Sequence, residues 1–109
     1  MIIDFLNMED AVLKNFKGGE KEMLSRAFDD GAHKIMYNTL IPGASIGIHT
    51  HENSDEVIYV LSGEGTAVYN GESKRVIAGQ AHYCPKDQTH CLINDGDRPL
   101  VFFAVVTNF

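Results

Sequence analysis

The sequence is poor in cysteine, in long apolar runs and in positive charge, and each shortage removes a class of protein. Two cysteines, Cys84 and Cys91, among 109 residues cannot build a disulfide scaffold. They read as free thiols. Spacing alone leaves a bond between them open, but no secretory context supports one. No apolar stretch approaches the length needed to cross a bilayer. The opening Met1-Ile2-Ile3-Asp4-Phe5-Leu6 is interrupted by Asp4. It has no preceding basic residue and no long apolar centre, so it does not read as a signal peptide, and the expected location is the cytoplasm. Lys and Arg number 9 against 15 Asp and Glu, for a formal net charge of -6. Such a chain lacks the electrostatic footprint of a nucleic-acid binder and gains nothing from anionic lipid. Neither nucleic acid nor membrane is therefore expected as a partner. There is no internal repeat, no low-complexity segment, no Ser-His-Asp or Cys-His arrangement and no phosphate loop. The length suits one domain with its own core and leaves no room for a separate substrate domain.

What is present is an ordinary globular composition, 44% hydrophobic and 22% charged, with strand and turn signals from Met23 onward. Residues 1–22 are expected as an N-terminal extension. Within it, residues 8–16 carry the signals of a short helix, with Asn7 as a cap, Glu9 and Asp10 in the first turn, and Gly18-Gly19 as the stop. Strands are predicted over residues 25–28, 33–41, 46–51, 56–61, 66–69, 73–77, 81–84, 90–93 and 100–106. Asn70-Gly71 between two of these runs is a strong hairpin signal, because both residues tolerate positive φ. Short strands with turns every eight to twelve residues argue for an all-β sandwich or barrel over residues 23–109.

His49 and His51 stand two apart on a predicted strand, so both imidazoles project to one face. Glu56 begins the next strand and can return beside them, while His90 lies far along the chain after the turn Pro85-Lys86-Asp87. Three imidazoles and a carboxylate form a mixed N/O donor set that suits Fe, Mn, Ni, Cu or Zn rather than Ca or Mg. Strand spacing alone leaves a second reading open, in which these are surface histidines of an acidic protein.

A resemblance to a known family decides between the two readings. Gly43, His49, His51, Glu56 and Gly63 match the first sequence motif of the cupin family: a glycine, five residues, His-x-His, three or four residues, Glu, six residues and a glycine. Residues 79–94 resemble the second motif at Gly79, Pro85, His90 and Asn94, with Asp87 where the family usually has glycine. Asp also tolerates left-handed turn positions. The chain is thus similar to small single-domain cupins over residues 43–63 and 79–94. That resemblance implies a double-stranded β-helix, a jelly-roll barrel, and one divalent transition metal ion held inside it by His49, His51, Glu56 and His90. Three neutral imidazoles, one carboxylate and a divalent ion leave a centre of net charge +1, which favours an anionic or enolisable small-molecule ligand.

Other residues carry weaker signals. His82 and Cys84 alternate on one strand. Either or both line the barrel beside the metal, or His82 is exposed and Cys84 is a buried inert thiol; the second reading is preferred. Cys91 should point away from the metal and pack. His33 and Tyr37 share one strand face and either line the pocket or, for His33, sit at the strand's edge. Val57, Tyr59 and Leu61 oppose the Glu56 face, and residues 52–55 form a solvated acidic turn.

Cupins include dioxygenases, decarboxylases, isomerases and proteins that only bind, so fold and metal do not fix the reaction. The leading expectation is a small metal-dependent enzyme acting on a small organic substrate. The alternative is a non-catalytic module that binds or senses a small ligand or metal. The two differ in whether a titratable group such as His82, Tyr37 or Glu64 reaches the open metal position. A homodimer is expected on two grounds: apolar Ile2, Ile3, Phe5, Leu6 and Met8 that one barrel cannot readily bury, and an open sheet edge at residues 25–28. The competing arrangement folds the N-terminal segment over that edge in cis.

Overall fold

The computed structural model describes residues 1–109, which form ten strands in two antiparallel sheets. In chain order these are β1 (Ala11–Lys14), β2 (Glu22–Asp29), β3 (His33–Leu40), β4 (Ser45–Thr50), β5 (Ser54–Ser62), β6 (Glu64–Tyr69), β7 (Glu72–Ile77), β8 (Ala81–Cys84), β9 (Thr89–Ile93) and β10 (Leu100–Asn108). One sheet runs β1-β2-β3-β10-β5-β8 and the other β4-β9-β6-β7. This is the all-β jelly roll that the motifs imply, and the nine strands predicted from residue 25 onward are all present. Asn70 and Gly71 take φ of 48° and 82° between β6 and β7, as a tight hairpin turn requires.

The N-terminal segment differs from expectation. Residues 8–16 form no helix; Ala11–Lys14 is strand β1, antiparallel to β2, with Leu13 opposite Met23. A helix of that length has too few hydrogen bonds to offset the cost of nucleation. A neighbouring strand offers β1 a ladder, and Leu13 packs against the core. Asn15 then turns the chain, with φ of 51° and its amide donating to the Gly19 carbonyl at 3.1 Å. β1 pairs in cis with residues 22–25 of β2, so it covers Ser25 of the expected edge and leaves residues 26–28 without a strand partner on that side. At the N-terminus Ile2 and Leu6 are 96% and 82% exposed. Phe5, between them, lies against Tyr37 and Phe103 on the outer face of the six-stranded sheet.

The inward faces of the strands divide by position along their length. On β5, Ser54 and Glu56 face inward first, then Ile58 and Val60; on β9, His90 precedes Leu92. The apolar members join Met23, Met36, Leu40, Ile46, Leu100, Phe102 and Ala104 in one buried core. Burial of each large side chain contributes about 1.5–3 kcal/mol, so this end carries most of the hydrophobic stabilisation. The polar members gather at the other end.

A bulge in β4 sets which side chains reach that polar end. Ile46 pairs with Leu92 but His49 pairs with His90, so Gly47 and Ile48 together oppose Cys91. The extra residue lets Ile46 and His49, three apart, both face inward, while Ile48 is left 70% exposed. The 3-10 turn Phe16–Gly18 packs directly on the bulge. A Cβ on Gly47 would lie 2.1 Å from the Lys17 carbonyl oxygen, and one on Gly19 would lie 2.0 Å from that of Ser45. We therefore expect Gly47→Ala to cost about 1–3 kcal/mol by forcing two backbones apart. Urea denaturation should show a lower midpoint at unchanged slope; an unchanged midpoint would mean that the turn does not constrain the bulge.

Candidate metal centre

Four side chains meet at the polar end. His49 comes from the bulged β4, His51 from the turn after it, Glu56 from β5 and His90 from β9. His51, Glu56 and His90 are buried, and His49 is half-buried. The Nε2 atoms lie 3.2 Å apart for His49 and His51, 2.8 Å for His51 and His90, and 3.1 Å for His90 and His49. Glu56 Oε1 lies 3.0 Å from His51 Nε2 and 3.1 Å from His90 Nε2.

The other nitrogen of each ring is also occupied. His49 Nδ1 donates to the Gly47 carbonyl at 2.7 Å. A carbonyl can only accept, so a neutral His49 must present a bare Nε2 lone pair to the cluster. His51 Nδ1 pairs with Ser54 Oγ at 3.1 Å, and His90 Nδ1 with His82 Nε2 at 2.9 Å. Partners on the far nitrogen orient imidazole rings and direct their free lone pairs, as in metal sites generally. Adjacent ligands at about 2.1 Å from a common metal ion lie about 3.0 Å apart, which is the spacing observed. The four groups therefore fit, and could hold, a divalent transition metal ion.

The electrostatics agree. Burial alone would raise the Glu56 carboxyl, but hydrogen bonds and positive charge from His51 and His90 outweigh it and hold it at about 2. Burial lowers His49, with smaller contributions from His90 and His51 against the raising effect of the Gly47 carbonyl. A carboxylate and neutral imidazoles are the forms that bind metal.

His82 faces inward from β8, opposite Ile58, and its ring stacks on His90 with centroids 5.1 Å apart. The preferred sequence reading, an exposed His82, is thereby corrected. Burial, then the neighbouring His90, lowers it to about 4, so it is neutral at physiological pH and able to accept from His90 Nδ1. Cys84 is fully buried opposite Glu56 on the adjacent strand, with Sγ 3.5 Å from the Gln88 carbonyl. Burial first, then Glu56 and Asp55, pushes its thiol up to about 11, away from the reactive thiolate form. Cys91 is buried and, like Cys84, free.

A cavity of about 410 Å³ opens beside His49, His51 and Glu56, and Lys34, Met36 and Asn38 of β3 line its wall. Successive side chains alternate, so Tyr37 and His33 lie on the other face of β3 and do not line this cavity. Tyr37 stacks on Phe5, and His33 is exposed 3.9 Å from Asp30. His82 and Cys84 also lie outside the cavity wall, behind His90 and Glu56.

The supporting contacts of two residues, Ser54 and the turn residue Asp87, were not read from the sequence. Ser54 alternates with Glu56 on β5, so strand parity could have placed it on the ligand face. Asp87 takes φ of 65°, and its carboxylate accepts from the Asn53 amide at 2.9 Å while its own amide donates to the His51 carbonyl at 2.8 Å. In place of a glycine, this residue ties the turn before His90 to the turn after His51. Asn94 closes the core end, its amide donating to the carbonyls of Leu40 and Arg98 at 2.9 and 2.8 Å.

The comparisons with known proteins agree with this architecture. A family model described as a cupin domain matches residues 36–106. An oxalate-binding protein of Thermotoga maritima is 33% identical over 100 residues, covering 86% of this chain and 83% of its own. The crystal structure of a predicted oxalate decarboxylase, also from Thermotoga maritima, superposes with a TM-score of 0.93 at 27% identity, covering 100% of both chains. A cupin domain from Schizosaccharomyces pombe shares the fold alone, with a TM-score of 0.80 at 8% identity over 100% of this chain and 74% of that one. The family match covers most of the chain and includes all four convergent side chains, so the protein belongs to the cupin family.

Proposed function

We propose that this cupin binds one divalent transition metal ion through His49, His51, Glu56 and His90, and captures a small carboxylate anion of the oxalate class at it. The observation that carries the reading is the convergence of three Nε2 atoms 2.8 to 3.2 Å apart with Glu56 Oε1 3.0 and 3.1 Å from two of them, all four ligand atoms lying within 4.8 Å of one another. A bound ion would supply a Lewis-acidic centre of net charge +1 for an anionic oxygen. Lys17 and Lys34 add positive charge to the cavity wall, against Glu52 at its rim. An oxalate-binding relative at 33% identity supports the carboxylate class.

Capture is favoured over turnover by where the titratable groups lie. His82 backs His90, Tyr37 is on the outer face, and Glu64 pairs with Arg75 at 2.9 Å away from the cavity. The ionisable cavity side chains other than the ligands are Lys17, Lys34 and Glu52. An enzyme here, of dioxygenase, decarboxylase or isomerase type, would have to handle protons with these.

Calorimetry on protein loaded with Mn, Co or Zn is expected to show stoichiometric oxalate binding that vanishes after metal removal. Loaded protein that gives no signal with oxalate, formate or malonate would overturn the carboxylate reading; product formed from oxalate would replace capture by catalysis. Metal should raise the melting temperature by mass action. Chelation should reverse that rise without unfolding the chain, since the apolar end has its own core. His82→Leu should weaken metal affinity about 10–100-fold by releasing His90 Nδ1, and His82→Gln, which keeps an acceptor, should restore most of it. Equal affinities in a competition titration would show that His90 needs no such partner.

A further inference from the structure

Asn38 is the cavity's unexplained residue. It sits on β3 between Met36 and Leu40 on the inward face, 2% exposed. Its Oδ1 is the one buried side-chain polar atom in the molecule without a hydrogen-bond partner. Its Nδ2 has only the thioether of Met36, at 3.7 Å. A buried amide left this way is destabilising, and native proteins keep such groups where another molecule completes them. Asn38 lines the same cavity as His49, His51 and Glu56. Lys34 stands four residues earlier on the same strand face and lines that cavity too. One face of β3 therefore presents an amide and an ammonium group to the cavity that His49 and His51 also line.

We propose that Asn38 is the ligand-recognition residue of this cavity, its side-chain amide hydrogen-bonding the far oxygens of a small carboxylate. The inference rests on the metal and carboxylate reading above. The two ends of a carboxamide are nearly isosteric, so a half-turn of the side chain presents the NH₂ group to an anion and leaves the carbonyl toward Met36. An NH₂ donor and the Lys34 ammonium suit an acceptor-only group such as a carboxylate. A ligand with one end on the metal and acceptors at the other, as in a dicarboxylate, would use both sides of the cavity.

The test compares wild type, Asn38→Leu and Asn38→Asp, all metal-loaded, by oxalate titration, metal competition and melting of the ligand-free protein. Asn38→Leu is expected to weaken oxalate binding about 10–100-fold, the loss of a hydrogen bond to a charged group. Metal affinity should stay within about twofold. Melting of the ligand-free protein should be unchanged or raised, because the leucine removes an unpaired polar group from a buried site. Asn38→Asp should bind oxalate more weakly still, since it sets a second negative charge against the ligand. Oxalate binding by Asn38→Leu within about twofold of wild type would overturn the assignment. So would a clear fall in its melting temperature, which would make the amide structural, or a parallel loss of metal, which would make it a support of the metal site. Wild type is read first: failure to take up metal, or to bind oxalate once loaded, overturns the proposed function itself and this assignment with it.

Discussion

Three imidazole nitrogens 2.8 to 3.2 Å apart and a carboxylate oxygen 3.0 and 3.1 Å from two of them crowd a mostly buried site, and lone pairs so placed repel unless a proton or a metal ion lies among them. Much of the polar end of this molecule holds them there. The bulge supplies both the inward aim of His49 and the carbonyl that fixes its Nδ1. Ser54 and His82 fix the other two rings. Asp87 joins the turns that carry His51 and His90, and the paired glycines at 19 and 47 let a 3-10 turn press the bulge from outside. None of these contacts belongs to the apolar core.

The ligand set was legible in the sequence because it depends on spacing and strand parity. His49 and His51 share a face by alternation, and the fixed distances to Gly43, Glu56, Gly63 and His90 recur as family motifs. The strands were legible for the same reason, from turn residues and short apolar runs. The bulge was not. Parity within 49–51 holds, but parity between Ile46 and His49 breaks, and nothing in Ala-Ser-Ile-Gly-Ile-His marks where the extra residue goes beyond a glycine. His82 was undervalued because its importance lies in contact with the distant His90, which pairwise spacing along one strand does not reveal.

The N-terminal helix failed through competition between local and non-local order. Asn7, Glu9 and Asp10 are genuine capping signals, but they would initiate a helix only a few turns long. Residues 11–14 gain more from a ladder with β2 and from placing Leu13 on the core. The same pairing shields only the first half of β2, so the open edge beyond Ser25 and the bare apolar surface around Ile2 and Leu6 both remain for a second chain to cover.

The division of β5 and β9 into a polar half and an apolar half has a consequence for insertions and deletions. Glu56 and Ile58 point inward on the same strand, as do His90 and Leu92. One residue added or lost between the members of either pair turns one of them outward unless the strand takes it up as a bulge, as β4 does between Ile46 and His49. Without a bulge, such a change sacrifices either the ligand or the core. Length variation can therefore enter this molecule at its turns, or along these strands only as a bulge, and a shift in strand register that displaced the ligands would expose the hydrophobic interior with them.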